Sequence, residues 1–217
     1  MWVASGQNTW LEIKGKDSTE TQLLHSLISK SKFSDLFTLN KELDSLEISL
    51  LKLGHIELER KAVEQVTDSS FLAFFSLNNK YESLQVLNPE ILNEYGLKKR
   101  EIEQFNSSKE NKLLIINFEN IEQSLDYIKL NITERGFPFA RVYLKQIKPS
   151  KNDKNLLQAV LAIESTSKRT ISAITVKGYE KFPKAFLKHV IGIKKGHLFQ
   201  KEKITAKSLL LDNLGFV

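Results

Sequence analysis

The sequence predicts an α+β chain built from tandem strand–helix–helix–strand–strand (βααββ) units, and three observations carry that prediction. Residues 11–28 and 174–191 superpose without a gap at a constant offset of 163, which sets Leu11, Ile13 and Gly15 on Ile174, Val176 and Gly178. Residues 39–54 and 121–136 superpose at a constant offset of 82, which sets Leu39, Leu43, Leu46, Leu50 and Gly54 on Ile121, Leu125, Ile128, Ile132 and Gly136. After both of those glycines the apolar period falls from the helical value to two, the change that separates a helix from a strand.

The elements follow in order. Leu11 and Ile13 alternate with polar residues and stop on Gly15, a half-buried strand running into a turn. Leu23, Leu24, Leu27 and Ile28 share one face of a first helix, as do their copies Phe186, Leu187, Val190 and Ile191. In the second helix, apolar steps of four, three and four keep one stripe. Gly54 and Gly136 then supply the left-handed residue that ends it. Beyond Gly54, Ile56 and Leu58 alternate with Glu57 and Glu59; beyond Gly136, Ala140, Val142 and Leu144 alternate with Arg141, Tyr143 and Lys145. These are second strands, followed by turns at 67–70 and 149–155 and third strands at 71–77 and 156–163. A looser third copy of the helix stripe runs through Ile204, Leu211, Leu214 and Gly215, with Lys207 in the place of Leu46 and Ile128.

Three units result, at residues 8–79, 80–167 and 168–217. Each complete unit is expected to form a three-stranded mixed sheet with two helices on one face, its third strand central and its second strand at an edge. The second unit opens on the strand Leu84-Gln85-Val86 and carries an insertion near 98–117, in which 98–111 reads as a charged loop and 113–116 as an extra strand. The third stops after its second helix and lacks both strands of its hairpin, so the chain is expected to be part of something longer.

Composition excludes several chemistries. With no cysteine there is no disulfide, thiolate nucleophile or thiolate zinc site. No apolar run approaches the roughly 20 residues of a membrane-spanning helix. The opening MWVASGQ is not an intact signal peptide, so the chain either is not exported or starts downstream of a leader. The net charge of +6 comes from 32 Lys and Arg against 26 Asp and Glu, and only Arg60, Arg100, Arg135, Arg141 and Arg169 are arginines. A lysine surface poor in arginine lacks the planar forks that read phosphates and guanine, so no specific nucleic-acid partner is expected. His25, His55, His189 and His197 lie in different elements without ligands at metal spacing and read as surface or capping residues. No nucleophile-elbow, dinucleotide or P-loop phrase is present.

Two phrases carry a family resemblance. Arg135-Gly136-Phe137-Pro138-Phe139-Ala140-Arg141-Val142 resembles the helix-to-strand junction of a POTRA domain. Ile174-Thr175-Val176-Lys177-Gly178-Tyr179, then Phe182-Pro183, Phe186-Leu187 and Ile193-Lys194-Lys195-Gly196-His197-Leu198-Phe199, is similar to a POTRA opening. With the βααββ order, this identifies residues 10–217 as similar to the POTRA domains of the outer-membrane barrel-assembly (BamA/TamA-like) surface antigen family. The resemblance implies a place on the periplasmic side of the outer membrane, ahead of a membrane barrel on the same polypeptide. It implies no catalytic residue and no cofactor. The implied partners are unfolded outer-membrane proteins or a secreted polypeptide, and accessory assembly subunits. A two-partner secretion pore or another export pore is the alternative within the family.

The expected partner-binding site is the second unit's edge strand. Its outward positions, Arg141, Tyr143 and Lys145, would grip a client strand added by β-augmentation. The competing reading is edge protection, in which Arg60, Lys61, Lys145 and Lys148 are charges that blunt the edges. A rival of another class is a KH-like RNA module. That fold needs a GxxG loop between its helices, whereas this chain has Gly192 and Gly196 at GxxxG spacing, in the third unit only.

Overall fold

The computed structural model describes residues 9–108, 113–165, 167–175 and 192–213. Contacts divide the chain into two compact units: Met1–Leu84 with Asn117–Glu119 and Lys148–Leu157, and Gln85–Ile116 with Asn120–Ile147 and Gln158–Val217.

In the first unit, β1 (Thr9–Lys14) buries alternate residues, as its apolar pattern requires. Helix α1 (Ser18–Leu27) starts where the Asp17 carboxylate accepts the Glu20 amide at 2.8 Å. A two-residue strand β2 (Lys32–Phe33) precedes α2 (Leu36–Lys52), whose Asp35 cap accepts the Thr38 amide, also at 2.8 Å. Each cap satisfies one of the amides that a helix start leaves without a partner. The stripe Leu39, Leu43, Leu46 and Leu50 is buried and packs with Leu24 and Phe33 onto Leu11, Ile13, Ala73, Phe75 and Leu77. Gly54 ends α2 at φ +100°.

The hairpin departs from its expected form. Ile56 and Leu58 sit in a turn that the Leu58 amide closes on the His55 carbonyl at 3.3 Å. The second strand comes later and in two pieces, β3 (Glu59–Arg60) and β4 (Glu64–Thr67), both antiparallel to β5 (Ser70–Ser76). A register shift between Gln65 and Thr67 breaks its alternation. As expected, β5 is central: it runs parallel to β1 from Trp10↔Ser70 to Lys14↔Phe74. The sheet is wider than three strands because β2 adds to the free side of β1.

The second sheet has the order β7-β6-β9-β8 and repeats this plan. Strand β6 (Ser83–Val86) lies beside β9 (Leu156–Glu164), and β8 (Arg141–Pro149) forms the outer edge. Strand β7 (Leu114–Asn117), the extra strand of the insertion, precedes α4 (Ile121–Glu134) as β2 precedes α2. The expected loop at 98–111 is instead a 3-10 helix over Lys99–Phe105. Leu97 and Ile102 are fully buried there, and Glu101 holds the Lys98 amide at 2.8 Å and the Arg135 guanidinium. The first helix of this module is one turn, α3 (Ile91–Glu94). On α4, Ile128 and Ile132 are buried, and Gly136 follows at φ +95°.

Helix α5 (Lys201–Asn213) falls where the sequence places a looser third copy of the second helix. It meets the C-terminal end of α4 through Gln200 Nε2 to Glu134 O and the Glu202 amide to Glu134 Oε1, each 3.2 Å. Thr170 makes an isolated antiparallel bridge to Leu198, and 171–175 form no strand. The expected strand end 176–178, the helix residues 186–191 and Gly215 lie outside the described residues.

His55 overturns the surface reading. It is buried at 6% exposure, its Nδ1 lies 3.3 Å from the Leu77 carbonyl, and its Nε2 has no partner among the described residues. Burial pushes its pKa below the usual imidazole value and Lys80 lowers it further, while the Leu77 carbonyl and Glu20 pull it up. The folded state therefore binds its proton more weakly than the unfolded chain. Stability should be intact above about pH 6.5, the unfolded value, and fall as the pH drops toward the lower folded value. Urea melts at pH 7.5 and 5.5 measure this, and His55→Leu should flatten the difference. An unchanged slope in that variant would assign the pH dependence elsewhere.

Candidate functional site

The sheet order leaves β8 hydrogen-bonded on one side only. Along its first five residues, exposed Arg141, Tyr143 and Lys145 alternate with half-buried Val142 and Leu144, the orientation read from the sequence. Tyr143 is 38% exposed but not free: its hydroxyl donates to Glu164 Oε1 at 2.6 Å across the hairpin. That carboxylate, hydrogen-bonded and negative, raises the phenol pKa. Beside the strand lies a groove of about 520 Å³, lined by Leu125, Asp126 and Lys129 of α4 with Arg141, Val142, Tyr143 and Glu164. Its mixed walls suit a polar, extended backbone better than an apolar small molecule.

Phe139 and Ile147, on either side of this stretch, are 66% and 52% exposed. Sequence reasoning found the strand and its three outward residues. It missed Glu164, Asp126 and Lys129, because the groove depends on where α4 lies over the hairpin, which no local pattern encodes.

The first unit handles its edge differently. Arg60 of β3 donates to Asp44 Oδ1 at 2.9 Å and lies 3.5 Å from Glu47 Oε2, both on α2, and Lys61 sits over the Phe74 ring. The break between β3 and β4 and the irregular register shorten the row of outward backbone groups. These cations are engaged within the module.

Two α+β sheets share one plan, each with a central third strand and its second strand at an edge. Residues 169–217 match the POTRA family model, described as a surface antigen variable number repeat. The whole chain is similar in structure to POTRA modules 3–5 of BamA from Haemophilus influenzae, at a TM-score of 0.56 and 16% identity, covering 100% of this chain and 89% of that one. The N-terminal domain of Omp85 from the thermophilic cyanobacterium Thermosynechococcus elongatus is also similar, at a TM-score of 0.38 and 11% identity over 95% of this chain and 85% of that one. No curated protein sequence matches the chain. The fold is thus that of tandem POTRA modules, and the POTRA resemblance read from the sequence holds.

Proposed function

We propose that this chain is the periplasmic POTRA region of an outer-membrane barrel protein, with modules at 8–79, 80–167 and 168–217. It docks client polypeptides or accessory subunits during assembly and insertion of outer-membrane proteins. The observation that carries the reading is β8, a strand with one side unpaired, flanked by exposed Phe139 and Ile147 and by a groove against α4. Backbone N–H and C=O groups on that edge would bind an incoming strand with little demand on its sequence, as clients of many sequences require. Neither catalysis nor a cofactor enters this role.

Photo-crosslinkers at Arg141, Tyr143 and Lys145, introduced one at a time, test the proposal during barrel-protein export. Adducts to client chains from these positions are expected. Adducts confined to positions on the helix faces would reject edge pairing and leave the β8 cations as edge protection.

A further inference from the structure

The β8 edge changes character partway along. Through Lys145 the strand alternates between exposed and half-buried residues; from Lys145 to Pro149 every residue is exposed. The change falls at Gln146, which adopts φ +54°. A left-handed residue inside a strand turns the following peptide groups out of the preceding row, as a bulge does, and Pro149 has no N–H to offer. The continuous edge is therefore the five residues from Arg141 to Lys145.

Those five present a cation, a phenol and a cation on their exposed positions. The phenol is already tied to Glu164, and among the described residues neither Arg141 nor Lys145 makes an ion pair. An added strand sets its side chains directly opposite those of β8, close enough to pair. Carboxylates two positions either side of a central residue would meet Arg141 and Lys145 at once. The pattern is symmetric, so parallel and antiparallel addition satisfy it equally.

On the reading that β8 is a docking edge, we propose that the second module selects short extended segments of the form acidic-x-x-x-acidic. Gln146, by ending the regular edge, sets their paired length at five residues.

Titration of the full chain with synthetic peptides, followed through amide chemical shifts of residues 141–148, tests both parts. The probes are Asp-Thr-Tyr-Thr-Asp, the same peptide with Lys for Asp, and a nine-residue extension of the acidic peptide by Thr-Val at each end. The acidic peptide should bind about tenfold more tightly than its lysine counterpart, and the double variant Arg141→Glu with Lys145→Glu should reverse the order. The extension should change affinity by less than about twofold on the parent chain, with shifts ending at Lys145, because residues beyond the bulge cannot pair. Deletion of Gln146 should make the longer peptide the tighter ligand and carry the shifts past residue 146, whereas Gln146→Gly, which keeps the left-handed backbone, should behave as the parent.

Binding at β8 that ignores charge and grows with length on the parent would overturn this inference while leaving the docking edge intact. If no peptide shifts any β8 amide, the docking edge itself falls and this inference with it. Should the deletion fail to fold, the charge reversal and the parent length series still decide.

Discussion

Gly54→Ala should destabilise the first unit by on the order of 2–4 kcal/mol, the combined scale of a left-handed strain and an overpacked contact. At φ +100° an L side chain is strained whatever space surrounds it. Here there is also no space, since an added Cβ would stand 2.0 Å from the Tyr81 carbonyl oxygen. That carbonyl cannot swing aside cheaply: the Tyr81 amide donates to Gly54 O at 3.0 Å and the Tyr81 hydroxyl to Glu57 Oε1 at 2.6 Å. The equivalent Gly136→Ala should cost less. Its added Cβ would meet the end of the Leu198 side chain, at 2.9 Å, which can change rotamer. Urea denaturation of both variants checks the order. Equal losses would mean that backbone strain alone sets the cost and that the Tyr81 contact contributes nothing.

Truncating the repeated helix stripe should be as damaging. Leu46 and Ile128, related by the offset of 82, are 3% and 1% exposed. Leu46→Ala and Ile128→Ala should each lose about 2–5 kcal/mol, from lost burial plus the cavity left behind. In a unit of this size that lowers the melting temperature by roughly 4–8 °C per kcal/mol. Ile48 and Leu130, an equivalent pair on the opposite face of the same helices, are 55% and 43% exposed. Their truncation should stay within about 0.5 kcal/mol of the parent. If the inner and outer pairs melt alike, the repeat register is misassigned.

The parts of this fold that were legible are those that repeat or alternate. The α2 and α4 stripes, the two helix-ending glycines and the central place of the third strands all follow from apolar periods in the chain. What escaped has no period. Strand β2 is two residues long, and its pairing with β1 depends on Phe33 reaching the core. The 3-10 helix at Lys99–Phe105 hides among charges because its anchors, Leu97 and Ile102, stand five apart, on neither a helical nor a strand repeat. Ile56 and Leu58 do alternate, yet the Leu58 amide donates to the His55 carbonyl and closes a turn there. At the candidate site, Arg141, Tyr143 and Lys145 were readable from alternation. The Tyr143–Glu164 bond was not, since it depends on the hairpin register. The left-handed Gln146 was equally hidden, being none of the glycine, asparagine or aspartate residues that usually mark such a backbone.

Hydrogen–deuterium exchange resolved to single amides, on the chain with and without an unfolded outer-membrane barrel polypeptide, tests the docking role of β8 most directly. Outward-pointing amides between Arg141 and Lys145 should exchange more slowly when the client is present, because a paired strand removes them from water. The amides of β4 in the first unit, whose edge is blunted, should be unaffected. Slowing confined to α2, α4 or α5, with β8 exchanging as fast as before, would contradict strand addition and place client contact on the helices instead.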